Sequence, residues 1–227
     1  MNTPKHIVLF PDGNRRWAKQ KGLQSLEGHK KGYENLLDFS DWCKNRGVKT
    51  LTAFGFSTEN WNRSPEEVDY LMKLLEGCLV DNLGRYDKNG VRVRVIGQRD
   101  RLPKSLQEAI VKVETATQKN LKLSLNLAIS YGGKWDILNA VKKINREGIS
   151  TEEINEKVFE EHLSTAGLDA PDFIIRPGGE MRLSNFVLWQ AAYAELYFSP
   201  KLWPDFTEQD LDVALAEFDR RCRRFGK

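Results

Sequence analysis

A carboxylate, a glycine and an amide stand directly before two guanidiniums in the stretch "HIVLFPDGNRRWA". There Asp12, Gly13 and Asn14 precede Arg15, Arg16 and Trp17. Residue types in this order suit a polyanion. Two forked guanidiniums offer paired donors to phosphate oxygens, a glycine lets backbone N–H groups come close, and one carboxylate is left to hold a divalent cation. The apolar run 7–10 reads as a buried parallel strand and the residues after Asn14 as a helix start, so the loop would also present the positive end of a helix dipole. The plain alternative is a helix N-terminus capped by Asn14, with solvated arginines.

Three more polar clusters follow apolar runs, where an open α/β sheet binds ligands. "FSTENWNRSPEEV" carries Ser57, Asn60, Trp61, Arg63 and Glu67; Ser57 and Asn60 also suit a simple turn. "NLAISYGGKWDI" places Asn126 inside an apolar strand before Tyr131, Gly132 and Gly133, either as a structural amide or toward a ligand. "DFIIRPGGEMRLSNFVLWQAAYAELYF" sets Arg176, Arg182 and Ser184 around a glycine pair, which makes a second anion pocket. Glu195 in the same stretch interrupts an apolar and aromatic run, where burial demands a metal, a cation or an arginine partner. Two anion pockets with Asp12 and Glu195 imply two phosphorylated substrates and one hard divalent cation, Mg²⁺. Only three histidines are available and no nucleophile–base arrangement stands out, which favours group transfer over hydrolysis through a covalent nucleophile.

The elements that must hold these clusters follow from the apolar pattern. Runs at 7–10, 48–56, 91–96, 121–129, 173–175 and 194–198 alternate with helical periods, predicting an α/β fold with a mostly parallel six-stranded sheet flanked by helices. The strict alternation of Val91 to Val95 predicts a strand near the sheet edge. Ser64-Pro65-Glu66-Glu67 signs a helix start, and Thr207 to Asp210 a second one. The stretch 148–155 is the expected loose connection. A chain of 227 residues supports one domain over 1–227, and its 35 basic against 32 acidic residues give a net charge of +3, which does not suggest nucleic acid. No apolar run reaches the roughly 18–20 residues of a transmembrane helix, and no signal peptide is expected. Cys43, Cys78 and Cys222 lack metal or redox spacing, so they are read as free thiols in a cytoplasmic protein and assigned no chemistry. The first turn lacks G-x-G-x-x-G, against a dinucleotide-binding protein.

In order along the chain, "PDGNRRWA", "GHKKG", "FSTENWNRSPEEV", "YGGKWDI", "IIRPGGEMRLSNFVLWQAAYAELYFSPKLWPDF" and the closing "RRFG" resemble the cis-prenyltransferase family of undecaprenyl diphosphate synthases. The resemblance implies a parallel sheet with an apolar tunnel for the prenyl chain, Mg²⁺ as cofactor, and condensation of isopentenyl diphosphate with an allylic diphosphate (dimethylallyl, geranyl or farnesyl) to a Z product. By the same resemblance Asp12 is the essential aspartate, holding Mg²⁺ with Glu195, and Asn60 lies near the reacting centre. Gly13, Asn14, Arg16 and His29 match the allylic diphosphate loop, and Arg15 and Trp17 beside them are expected to bind substrate as well. Ser57, Trp61, Arg63 and Glu67 match the second motif, and Arg176, Arg182 and Ser184 the second diphosphate pocket. Arg224 and Gly226 reproduce an R-x-G element supplied to a neighbouring subunit, which implies a homodimer; membrane contact would come only through a greasy product.

The chain departs from the family pattern at Arg15, where glycine is common, at Pro11, and at Ser25, where a diphosphate-binding arginine is common. It departs again at Pro177 and Met181, where threonine and histidine are frequent. Arg15 is read as supplying the guanidinium that Ser25 lacks. Paired arginines after "PDG" also resemble unusual members that couple two dimethylallyl diphosphates into branched products, which is the alternative reading. A non-catalytic subunit of a heteromeric prenyltransferase would have lost these residues, and they are present.

Overall fold

The computed structural model describes residues 2–221. Its chain runs β1 (His6–Leu9), α1 (Asn14–Gln20), α2 (Ser25–Asn45), β2 (Thr50–Ser57), α3 (Pro65–Asp81), α4 (Leu83–Asn89) and β3 (Val91–Ile96). It continues through α5 (Lys104–Thr117), β4 (Leu123–Tyr131), α6 (Gly133–Arg146), α7 (Glu156–His162), β5 (Phe173–Arg176), β6 (Glu195–Phe198) and α8 (Glu208–Arg220). The six strands form one sheet in the order β3-β4-β2-β1-β5-β6, and every pairing is parallel. The alternating strand β3 takes the edge, as its pattern predicts.

Strand alternation sorts the core into two layers. Ile7 and Leu9 face one layer with Leu51 and Ala53, covered by Phe39 of α2, Leu75 of α3, Ile110 of α5 and Phe218 of α8. Val8 and Phe10 face the other, with Ala128, Tyr131, Ile174 and Phe186. Burial of each large apolar side chain contributes about 1.5–3 kcal/mol of transfer free energy, which explains why the β1 positions are sealed on both faces. The helix starts read from the sequence are present. Ser64 accepts the Glu67 backbone N–H at 3.3 Å ahead of Pro65, and Thr207 and Asp210 form a reciprocal capping box.

The third polar cluster is structural. Asn126 is fully buried on β4 and donates to Thr52 Oγ1 at 3.3 Å, and Thr52 in turn bonds the buried His6 Nε2 at 2.8 Å. Tyr131 donates to the buried Asp136 at 3.0 Å. Cys43 and Cys78 are buried and free, and burial pushes both thiols up, so neither offers a thiolate. Cys222, Arg224 and Gly226 lie outside the described residues. Among the described residues no helix is long and apolar enough to cross a membrane.

Candidate active site

Strand β1 has β2 on one side and β5 on the other, so the chain leaves β1 in one direction and returns on the opposite side much later. Such a switch in strand order opens a crevice at the carboxyl ends of the strands. A cleft of about 670 Å³ lies there, lined from the turns after β1, β2 and β5.

The β1 turn brings Asp12 and Asn14. Its path is fixed by the Asp12 carbonyl, which accepts the Trp203 N–H at 2.9 Å, and Gly13 makes the turn into α1 with Leu202 packed against it. Helix α2 lies against this turn because Gly28 and Gly32 are one helical turn apart and lack side chains. A Cβ on Gly28 would stand 2.1 Å from the Asn14 carbonyl oxygen, and one on Gly32 2.2 Å from Asn14 Oδ1. That close approach sets His29, between the two glycines, into the cleft wall.

The β5 turn brings Arg176, only 4% exposed. Its Nη2 donates to Asp12 Oδ2 at 2.8 Å, and its Nη1 donates to Ser184 Oγ at 2.9 Å and to the Arg182 carbonyl. Arg16 reaches the other Asp12 oxygen, Oδ1, at 3.4 Å. Arg182 is exposed and paired with Glu180, a surface ion pair of small net worth. Backbone strain concentrates in this turn: Ser184, Asn185 and Val187 all have positive φ, at 46°, 63° and 41°.

The β2 turn brings Ser57, Asn60 and Arg63. Asn60 Oδ1 accepts the Ser57 N–H at 3.0 Å, so the amide that faces the cleft also caps its own 3-10 turn; the turn-former and ligand readings coexist. Glu67 sits behind this wall as a shared counter-charge. Its carboxylate is 3.0 Å from Arg63, 3.7 Å from His29 and 4.0 Å from Arg15. Three buried atoms of residues lining the cleft, Asn14 Oδ1, His29 Nε2 and Arg176 Nε, have no hydrogen-bond partner within the described residues, so the wall keeps polar capacity for a ligand.

His29 is held neutral at about pKa 4, first by burial, then by the neighbouring Arg63 guanidinium, with Glu67 opposing. An unfolded imidazole titrates at 6.5, so between these values the unfolded chain binds more protons, and stability falls as pH falls through the window. Going from pH 7 to pH 5 should therefore cost the native chain about 2 kcal/mol more in urea unfolding than it costs His29→Gln. Equal acid sensitivity of the two proteins would contradict the assignment.

Glu195, Trp17, Trp61 and Arg15 lie outside the cleft lining. Glu195 opens β6 opposite Phe173, whereas Asp12 follows Leu9, which pairs with Ile175 further along β5; the two carboxylates stand toward opposite ends of the sheet. Glu195 instead pairs with Arg221 at 3.0 Å on an edge strand, so within one chain it does not join Asp12. Trp17 turns to Asp205, donating at 2.8 Å. Trp61 is outside the cleft lining and donates to Ser130 at 2.9 Å. Arg15, 58% exposed, lines a neighbouring shallow groove with Arg16, Lys19 and Ser25.

Residues missed in the sequence are Glu59 and Asn185, which both line the cleft and meet at 2.7 Å. The Ser184-Asn185 pair was the available signal, since asparagine tolerates the left-handed conformation found there. Asp12 suits a hard cation that takes its remaining oxygens from phosphate, because Mg²⁺ is commonly bound by one or two carboxylates plus substrate phosphates. Among the described residues no group of three His, Cys, Asp or Glu could hold a metal without such help.

Residues 10–226 match the prenyltransferase family model described as "Putative undecaprenyl diphosphate synthase". Over 224 residues the chain is 46% identical to the isoprenyl transferase of Neisseria gonorrhoeae, covering 99% of this chain and 90% of that protein. Over 228 residues it is 42% identical to the ditrans,polycis-undecaprenyl-diphosphate synthase ((2E,6E)-farnesyl-diphosphate specific) of Legionella pneumophila, covering 99% and 96%. The crystal structure of lavandulyl diphosphate synthase from Lavandula x intermedia in complex with dimethylallyl diphosphate aligns at a TM-score of 0.94 and 39% identity, covering 99% of each chain.

Proposed function

The chain belongs to the undecaprenyl diphosphate synthase family of prenyltransferases, and from that premise we propose that it is a Mg²⁺-dependent enzyme joining an allylic diphosphate to isopentenyl diphosphate. The C1–O bond of the allylic substrate breaks with its electron pair leaving on diphosphate. C1 bonds to C4 of isopentenyl diphosphate, and a proton leaves C2 to give a Z double bond. The observation that carries this reading is the convergence of Asp12, His29, Asn60, Arg63, Arg176 and Arg182 on one cleft at the switch point. Asp12 would anchor the metal, His29 and Arg16 would bind the allylic diphosphate, and Arg176, Arg182 and Ser184 the second one. Bound Mg²⁺ supplies neutralisation of charge on the departing diphosphate. Phe10, Phe54, Phe56 and Leu71 line the apolar part of the cleft and would receive the hydrocarbon. We read the active form as a cytoplasmic homodimer, in which edge strand β6 carries Glu195 toward a second copy.

A second reading is coupling of two dimethylallyl diphosphates. It is favoured by Arg15 and Ser25 lining the same basic groove beside the first turn, which suits an allylic diphosphate shifted toward α1, and by the likeness to a lavandulyl diphosphate synthase that binds dimethylallyl diphosphate. Purified protein with Mg²⁺ and dimethylallyl diphosphate, with and without isopentenyl diphosphate, separates the two through analysis of dephosphorylated products. Product only when isopentenyl diphosphate is added supports the first reading. Branched product from the allylic substrate alone supports the second, and no product with any allylic primer refutes both. Arg15→Gly combined with Ser25→Arg should move substrate preference toward isopentenyl diphosphate; an unchanged product spectrum would refute a role for Arg15 in placing the diphosphate.

A further inference from the structure

Trp61 stands outside the cleft, yet it is the most elaborately held side chain of the β2 turn. In the pairing of β2 with β4, Phe56 lies opposite Ile129 and Ser57 opposite Tyr131, which leaves Ser130 as an extra residue. Ser130 is fully buried with φ 52°. A bulge re-aims the side chain it carries, and a left-handed serine persists only where its surroundings fix it. Here the hydroxyl accepts the Trp61 Nε1–H at 2.9 Å.

The carbonyl of the same serine accepts the Gln98 N–H at 3.1 Å. Gln98 leads into the 3-10 turn Arg99–Arg101, which is further tied down by Arg99 donating to Glu114 at 2.9 Å. This segment can approach β4 only because residue 97 is glycine: its φ is 123°, and a Cβ there would come within 2.0 Å of the Ile129 carbonyl oxygen. The turn ends in Arg101, whose guanidinium carbon lies 4.8 Å from the centroid of the Trp61 ring. Phe56 meets the same indole edge-on at 5.0 Å. One bulged serine thus fixes the indole through its hydroxyl and, through its carbonyl, the turn that carries the cation over the indole.

We propose that Arg101 and Ser130 are positioning residues, which clamp Trp61 so that residues 57–63 present Asn60 and Arg63 to the cleft in one geometry. The proposal rests on the prenyl-transfer reading of that cleft. Neither residue lines the cleft, and both meet Trp61, through which they act. A loosened loop would bind substrate nearly as well but place its polar groups poorly in the transition state, so the loss falls on kcat.

The test begins with Arg101→Gln, a substitution at an exposed position. Turnover should drop about tenfold with KM changed less than about twofold, and Arg101→Lys should recover most of it, because an ammonium also sits favourably over an indole face. A second readout is independent of catalysis: the indole N–H resonance of Trp61, assigned with Trp61→Phe, should shift in both Arg101→Gln and Ser130→Ala. If the protein transfers no prenyl group, the enzyme reading fails while this resonance still reports the clamp. Native turnover in Arg101→Gln, a loss that Arg101→Lys does not recover, or an indole resonance unmoved in Ser130→Ala would overturn the proposal.

Discussion

Asp12→Ala should lower kcat about a thousandfold, equivalent to about 4 kcal/mol of transition-state stabilisation, while KM for either diphosphate changes less than about threefold. The asymmetry follows from where Asp12 stands. Arg176 and Arg16 already hold its two oxygens, at 2.8 and 3.4 Å, and its carbonyl is pinned by Trp203, so the carboxylate is fixed before substrate arrives. Its charge matters most when negative charge builds on the departing diphosphate, and that build-up is absent from the ground state. Asp12→Asn keeps the shape and removes the charge, and should lose nearly as much. Steady-state kinetics with the substrate pair that the wild type accepts settles the point; equal losses in binding and turnover would contradict it.

Arg176→Met carries the second large effect, on two quantities at once. This guanidinium is almost wholly buried and joins Asp12, Ser184 and the Arg182 carbonyl. Without it, Asp12 loses its shortest partner and the β5 turn loses the group around which it folds. Truncating one member of a buried pair typically costs about 3–5 kcal/mol; because the Asp12 side chain is 32% exposed, water recovers part of this, and about 2–3 kcal/mol is expected in urea unfolding. Turnover per KM should fall by at least about a thousandfold. Arg176→Lys should not rescue it, since one ammonium cannot span three acceptors that a planar fork reaches together. Arg182→Ala, at a side chain 61% exposed, should lower activity with no measurable change in stability. Substantial activity in Arg176→Lys would refute the role of the fork.

Much of this was legible from the residues. Apolar runs gave each strand to within a few residues, because strands buried on both faces leave little freedom in composition, and the helix starts at Ser64 and Thr207 carry their own side-chain chemistry. The polar turns that line the cleft were legible for a related reason: arginines and glycines clustered after apolar strands have few structural uses. Glu195 takes, within one chain, the arginine partner that the sequence allowed rather than a place beside Asp12, and its apolar and aromatic neighbours read as a core. On an edge strand those neighbours are half-buried or, at Leu196, exposed, and Arg221, distant in sequence, supplies the partner. Trp17 and Trp61 lie outside the cleft lining for a different reason. A loop tryptophan near polar residues looks like a ligand wall, but the hydrogen bond of its indole decides its direction, and the partners Asp205 and Ser130 lie far along the chain. Register and long-range partners are what a local pattern does not contain.

The central claim is that the turns after β1, β2 and β5 hold two diphosphates side by side. A crystal structure with Mg²⁺ and the unreactive thiolo analogues of dimethylallyl and isopentenyl diphosphate tests it most directly. One diphosphate is expected beside Asp12 and His29, the other against Arg176, Arg182 and Ser184, with the metal on Asp12. Diphosphates bound outside this cleft, or a single diphosphate spanning both sets of residues, would contradict the account.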